Sequence, residues 1–312
     1  MGDQIFLEIK NLSKSFGDLI AVNDLSLEIC AGEVFGLLGP NGAGKTTTIN
    51  LISGLLKPDA GEVFLSGERF APGDAAVRSK IGICPQENVL WKKLTPSEQL
   101  IFLGNMYDLK PSYIRQRSEI LLDELGLTAV ANQMAGTLSG GMQRRLNIAL
   151  ALIHDPELLI LDEPEAGLDP QSRVSVREYI KSLAAEKTVV LTTHNMDEAE
   201  RMADRVAIID KGKLLVLDTP DELKQTVGEG DVLEISIKNP AMIKGVLPYL
   251  NEWAQALMVD DILHIRALDL VNQLQNVLTH LEKGGILFGD IRMRKNTLED
   301  VFIQLTGRSL RA

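Results

Sequence analysis

The chain opens on short runs in which every second position is apolar. Residues 5–9 (Ile-Phe-Leu-Glu-Ile) and 25–29 (Leu-Ser-Leu-Glu-Ile) alternate in this way, as half-buried strands do, because successive strand side chains point to opposite faces. Residues 33–38 are almost continuously apolar, the pattern of a strand covered on both faces. That run leads straight into Gly39-Pro40-Asn41-Gly42-Ala43-Gly44, which is a loop by composition. A helix is predicted from Lys45 to about Leu56, and strands at 61–65 and 81–84. From 95 to about 155 the pattern turns helical. Thr95-Pro96-Ser97-Glu98 is a capping box with proline at the first helical position. A second helix covers 112–126 and stops at Gly126. A third follows Ser139, with Met142, Leu146, Ala149, Leu150 and Ile153 at helical spacing. Strands return at 157–162, 188–193 and 205–209. A helical insert at about 88–155 therefore interrupts an alternating α/β domain.

The texture changes near residue 220. Thr219-Pro220-Asp221-Glu222 caps a short helix, and Gly228-Glu229-Gly230-Asp231 reads as a linker. Beyond it the pattern predicts strand 232–237, helix 240–251, strands 256–259 and 262–266, helix 269–282, strand 286–293 and helix 297–306. Up to the last strand that order is β-α-β-β-α-β, which predicts a small ferredoxin-like α+β domain. The expected domains are 1–222 and 229–312.

Composition narrows the function classes. The chain has 312 residues, with 32 Lys plus Arg against 43 Asp plus Glu and a net charge of −11. Such an acidic chain is a poor nucleic-acid coat or polybasic membrane anchor. No stretch approaches the ~18 apolar residues of a membrane span, so any membrane work requires another chain. The start, Met1-Gly2-Asp3-Gln4, does not read as a signal peptide. The end, Gly307 to Ala312, does not read as a prenylation box. Two cysteines, Cys30 and Cys84, make neither a disulfide framework nor a four-cysteine zinc site. They are expected to be buried small hydrophobes in a reducing compartment.

Three segments carry chemistry. Gly39 to Thr46 fits G-x-x-x-x-G-K-[ST], which random sequence matches in roughly one chain of this length per hundred. Here a buried strand precedes it and a helix follows, the context the chemistry needs. Its glycines let backbone N–H groups converge on phosphates, aided by a helix N-terminus. Lys45 reaches the β- and γ-phosphates, and Thr46 offers a hydroxyl to Mg²⁺. Leu158-Leu159-Ile160-Leu161-Asp162-Glu163 is an apolar run ending in two carboxylates. Such a strand delivers Asp162 to a metal and Glu163 to an attacking water. Leu138-Ser139-Gly140-Gly141-Met142-Gln143 opens a helix, with Ser139 as N-cap and two glycines permitting close approach of a phosphate.

In this order the motifs resemble those of the ATP-binding cassette ATPases, the nucleotide-binding subunits of ABC transporters, over about residues 5–220. Gly39 to Thr46 resembles Walker A, Gln86 the Q-loop glutamine, and Leu138 to Gln143 the signature, with Met142 where glutamine is commoner. Leu158 to Glu163 resembles Walker B with its catalytic glutamate, Gly167-Leu168-Asp169 the D-loop, and His194 the switch histidine. The resemblance implies a P-loop ABC ATPase fold with an inserted helical subdomain, followed by the small C-terminal domain. It implies Glu163, His194 and Gln86 as catalytic residues. It implies ATP on Phe16, Val22, Asn41, Gly42, Ala43, Gly44, Lys45, Thr46 and Thr47, with Phe16 stacking on adenine. It implies Mg²⁺ on Thr46, Gln86 and Asp162. Two such subunits meet head to tail, so that Ser139, Gly140, Gly141 and Asp169 of one reach the ATP held by the other. The implied partners are a polytopic membrane permease and a second ATPase subunit, a homodimer ahead of a heterodimer, with no nucleic acid. The implied place is peripheral, on the cytoplasmic face of the membrane. Trp91 packs either beneath the permease or against the insert.

The C-terminal segment, through Leu298 to Arg308, resembles the tail of drug-resistance exporters of the daunorubicin type and suggests a dimerisation or regulatory role. Soluble cassettes that act on ribosomes or nucleic acid usually carry two such cassettes or a long coiled coil; this chain has one Walker A and no sustained heptads. One departure stands out: after Pro164 the family usually has threonine, and here it is Glu165. A third carboxylate near the Mg²⁺ site or the dimer seam either slows nucleotide-driven closure, keeping a binding-only cassette as an alternative, or points to solvent without effect.

Overall fold

Strands β1 (Ile5–Phe16) and β2 (Leu19–Cys30) form a long antiparallel hairpin. Both run well past the five-residue stretches that alternate cleanly. Register shifts between Ile9 and Leu12 and between Leu12 and Lys14 reset the alternation, so the polar stretch stays paired. The structure is a computed structural model and describes residues 4–71, 73–227 and 230–307.

All five residues of β3 (Val34–Leu38) are buried. Helix α1 (Lys45–Ile52) ends four residues sooner than the pattern suggests. The reason is Gly54: its φ is +69°, and a Cβ there would lie 2.4 Å from the Phe70 ring, so the chain turns out of the helix at a place only glycine fits. Then follow β4 (Ala60–Leu65), β5 (Glu68–Phe70), α2 (Ala75–Arg78) and β6 (Ile81–Cys84). The insert contributes α3 (Pro96–Met106), α4 (Pro111–Glu124) and α5 (Gly140–Leu152), with the Thr95–Glu98 capping box formed. The chain returns through β7 (Leu158–Asp162), α6 (Pro170–Leu183), β8 (Thr188–Thr193), α7 (Met196–Met202), β9 (Arg205–Asp210) and β10 (Lys213–Asp218). The short strand β5 and the strand β10 both lie at sheet edges and are additional to the predicted elements.

Two sheets result, ordered β2-β1-β4-β5 and β10-β9-β3-β8-β7-β6. In the second, the neighbours from β9 through β3, β8 and β7 to β6 pair in parallel. The apolar run of β7 is buried on both faces. Leu158 and Ile160 pack into the core that includes β1 and α1, and Leu159 and Leu161 into the core that includes α5 and α6. Because β3, β6, β7 and β8 run parallel, their C-terminal ends share one edge. That edge receives the Gly39–Thr46 loop, Gln86, Asp162 with Glu163, and His194.

The chain divides between Leu217 and Asp218. The division precedes the expected boundary at 222 because α8 (Pro220–Thr226) packs on the helix Leu298–Thr306 of the second unit. That unit continues with β11 (Asp231–Ile237), α9 (Leu247–Leu250), β12 (Gln255–Val259), β13 (Ile262–Ala267), α10 (Leu270–Lys283), β14 (Phe288–Lys295) and α11 (Leu298–Thr306). Its sheet is antiparallel in the order β12-β13-β11-β14, the ferredoxin-like arrangement. The helix expected at 240–251 is instead a 3₁₀ turn (Pro240–Gly245) followed by α9. Pro248 has no N–H to donate and breaks the run. Leu233, Ile235, Leu263 and Ile265 meet Leu270, Val277 and Leu281 of α10 in the core. Gly228 and Glu229 of the linker, and Arg308 of the tail motif, lie outside the described residues. Among the described residues no helix is long and apolar enough to cross a membrane.

Candidate functional site

The loop after β3 closes on its own lysine. Lys45 is 7% exposed, and its Nζ donates to the carbonyls of Gly39 (2.6 Å) and Pro40 (3.1 Å). Gly44 stands at φ +104°, and a Cβ there would lie 2.3 Å from the Ala21 carbonyl, so the N-cap of α1 admits only glycine. Burial lowers the pKa of Lys45, and the carboxylates of Glu163 and Asp162 work against that.

Asn41, Gly42, Gly44, Lys45, Thr46 and Thr47 line a cleft of about 390 Å³ together with Phe16, Gln86, Asp162 and Glu163. Phe16 is half exposed at its rim. Two expected members are not in its lining. Val22 is fully buried in the core, turned inward by the register shift between the Leu12–Leu25 and Lys14–Val22 pairs, where simple alternation from Leu25, Leu27 and Ile29 would turn it out; Leu19, Ile20 and Ala21 line the cleft in its place. Ala43 is also buried, and its N–H is taken by the Pro40 carbonyl at 3.1 Å.

The end of β7 builds the acidic wall. The Thr192 hydroxyl on β8 donates to Asp162 Oδ1, a contact that sequence reading missed because it joins two strands. Glu163 adopts φ +47°, unusual for a side chain with a Cβ, and its N–H donates to the Thr192 carbonyl at 3.1 Å. The turn aims its carboxylate at two partners. Gln86 Nε2 donates to Oε2 at 2.9 Å, and His194 Nδ1 meets Oε1 at 2.7 Å. An ionised carboxylate only accepts, so Nδ1 carries the proton and Nε2 is left to act outward. Asn195, next in sequence, caps α7 by accepting from the N–H groups of Asp197 and Glu198. Gln86, Glu163 and His194 thus form one hydrogen-bonded cluster beside Lys45.

The donor set suits a hard cation. Thr46 offers a hydroxyl. Gln86 spends its amide N–H₂ on Glu163 and keeps its carbonyl, and Asp162 keeps Oδ2. These oxygens, with phosphate and water, fit Mg²⁺ chemistry. Among the described residues no group of three or more His, Cys, Asp or Glu could hold a metal by itself.

Ser139, Gly140, Gly141 and Asp169 form a second polar end, outside the lining of that cleft. Ser139 Oγ accepts from the Met142 N–H as N-cap of α5. Asp169 caps α6, accepting from the Ser172 N–H (3.0 Å) and hydroxyl (2.6 Å). Those hydrogen bonds hold its carboxyl below the usual range. A Cβ on Gly141 would lie 2.2 Å from Ser172 Oγ, and one on Gly140 would meet nothing within 4 Å.

Glu165 neither lines the cleft nor points to solvent. It is fully buried and forms a two-pronged ion pair with Arg177 of α6, at 3.0 Å from Nε and 2.9 Å from Nη2. It therefore adds no unpaired charge to the cleft. Cys84 is buried, which pushes its thiol up to about 11, whereas Cys30 is only half-buried, with Arg205 Nη1 3.7 Å from its sulfur. Trp91 is 43% exposed, edge-on to Phe102, and lines an apolar groove of about 500 Å³ with Leu55, Val89 and Tyr107.

This geometry has close relatives. The ABC transporter family model matches residues 22–166. The chain is 37% identical, over 98% of its length, to the linearmycin resistance ATP-binding protein LnrL of Bacillus subtilis and spans 99% of that protein. It is 40% identical, over 98% of its length, to the Nod factor export ATP-binding protein I of Sinorhizobium fredii, spanning 88% of it. It is 35% identical to the daunorubicin resistance ATP-binding protein DrrA3 of Streptomyces coeruleorubidus, over 96% of each. A solved ATP binding subunit of an ABC transporter superposes with a TM-score of 0.64 at 32% identity, over 71% of this chain and 92% of that one. The chain belongs to the ABC transporter family, as one of its ATP-binding, ATP-hydrolysing subunits.

Proposed function

We propose that this chain powers export of a small molecule through a separate polytopic membrane subunit, hydrolysing MgATP in the cleft beside Lys45. The carrying observation is the Gln86–Glu163–His194 cluster at the edge of that cleft. Lys45 exchanges its two loop carbonyls for β- and γ-phosphate oxygens, which offset the cost of its burial. Phe16 stacks on adenine. Thr46, Gln86 and Asp162 hold Mg²⁺, which supplies charge neutralisation at the phosphates when bound. Each Glu163 oxygen keeps a lone pair beyond its present hydrogen bond. Glu163 accepts a proton from water as the water oxygen bonds to the γ-phosphorus and the bond to the β-phosphate oxygen breaks, leaving ADP and phosphate. His194 fixes Glu163 through Nδ1 and presents Nε2 to the γ-phosphate.

The separation of Ser139-Gly140-Gly141 and Asp169 from the chain's own cleft supports completion of the site by a second subunit. One cassette per chain makes a homodimer the simplest closed assembly. The groove around Trp91 offers the membrane subunit an apolar seat, which favours that reading of Trp91 over plain packing on the insert. The acidic net charge supports a role without nucleic acid, and the kinship with ATP-binding subunits of exporters supports a peripheral place on the cytoplasmic face. The names of the resistance and export relatives support export. We assign the C-terminal unit a regulatory or dimerisation role.

The test is Glu163→Gln, which keeps shape and removes the base. Turnover should fall by roughly 10²–10⁴-fold, while ATP-dependent dimers persist in light scattering. Unchanged turnover would remove Glu163 from its role. Purification from native membranes in mild detergent should bring down a multi-span protein in stoichiometric amount. Recovery with ribosomes or nucleic acid from the soluble fraction would overturn the transporter reading.

A further inference from the structure

Arg144 lies one helical turn after Gly140 on α5, behind the cleft, and is 2% exposed. A guanidinium has five N–H donors in a planar fork. All five are used here, and every acceptor is a main-chain carbonyl. Nε donates to Pro164 (3.1 Å). Nη1 donates to Pro85 and to Gln86 (3.1 Å). Nη2 donates to Asp162 (2.6 Å) and Glu163 (3.1 Å). On the same helix face Asn147 donates to the Glu87 carbonyl at 3.4 Å.

These carbonyls belong to two segments, 85–87 and 162–164, far apart in sequence. They carry the two side chains that meet at 2.9 Å, Gln86 and Glu163. The buried charge is stabilised only while both sets of carbonyl dipoles point at it. Moving either segment alone breaks charge-assisted hydrogen bonds, so Arg144 ties them into one body. The helix carrying it begins at Ser139-Gly140-Gly141, within about one 5.4 Å turn.

We propose that Arg144 is a positioning residue that sets the Gln86–Glu163 contact and passes displacement of the Ser139–Gly141 end of α5 to it. This rests on the reading of Gln86 and Glu163 as reaction-centre residues. Lysine cannot substitute, because three donors on one nitrogen cannot span five carbonyls.

Two measurements test it on the full chain. In Arg144→Lys, amide exchange at 86–88 and 163–166 should quicken at least about tenfold, with other strands of the first unit unchanged. ATP affinity should stay near wild type while kcat falls roughly 10²-fold, the cost of misplacement by about 1 Å. In Arg144→Ala, added methylguanidinium should restore part of kcat where sodium chloride does not. Wild-type exchange in both segments of Arg144→Lys would overturn the proposal, and so would near wild-type kcat. Protection lost evenly across the first unit would also overturn it, since that is loss of fold and not of position. If the wild-type chain hydrolyses no ATP, the functional reading fails, and the exchange measurement still decides the role of Arg144.

Discussion

The Glu165–Arg177 pair permits a sharp stability prediction. Breaking a buried ion pair by removing one partner costs about 3–5 kcal/mol, because it strands the other charge away from water. The two truncations are not equivalent here. Glu165 has 0% side-chain exposure and Arg177 has 18%. In Arg177→Ala the carboxylate has no path to solvent, so the loss belongs at the upper end, about 5 kcal/mol. In Glu165→Ala the guanidinium can swing outward on its long stem, which places the loss near 3 kcal/mol. A second effect points the same way. Burial raises the pKa of Glu198, and the Glu165 carboxylate adds to that, so deleting Glu165 also relieves a repulsion. Replacing both, as Glu165→Leu with Arg177→Met, should return stability to within about 1 kcal/mol of wild type. At about 2–4 °C per kcal/mol for a unit of this size, Glu165→Ala should melt roughly 10 °C early and Arg177→Ala earlier still. The assay is thermal and urea unfolding of the nucleotide-free protein for wild type, the two single variants and the double replacement. Two results would refute the reasoning: Arg177→Ala no worse than Glu165→Ala, or a double variant that loses the sum of the two.

Two other predictions concern charge elsewhere. Burial lowers the pKa of His154 beyond what the Ile81 carbonyl and Asp155 restore; the folded chain then binds fewer protons than the unfolded one, so stability is full above about pH 6.5 and is lost as pH falls through the window below it. Between about pH 7.5 and pH 5 the urea midpoint of wild type should drop further than that of His154→Gln. In the second unit, Asp300 is 3% exposed and accepts from Arg294 Nη2 (2.9 Å) and the Thr297 N–H (2.8 Å). Asp300→Ala should cost that unit about 3 kcal/mol, read as faster amide exchange along β14 and α11.

Legibility followed distance along the chain. The Gly39–Thr46 loop, the capping box at Thr95 and the N-cap at Thr219 depend on neighbours within a few residues, and their conformations were readable from composition and spacing. The clean alternation of 5–9 marked a strand, yet not its continuation to Phe16, since the irregular pairing that permits it, with extra residues in both strands, exists only once the two strands meet. Val22 shows the same limit: the register shift beside Leu25, and not the period-two pattern, turns it into the core.

What the sequence determined by itself was local: the phosphate-binding loop, the helix starts, the apolar strands, and the acids at the end of β7. The tertiary structure decided which of these meet. Gln86, Glu163 and His194 are separated by 77 and 31 residues, and they touch because β6, β7 and β8 are parallel neighbours with their ends on one edge. Glu165 and Arg177, and Arg144 with its five carbonyls, are likewise products of packing. A charge in a sequence reveals its sign and reach, but its burial and partner depend on a surface that exists only once distant segments have folded against one another.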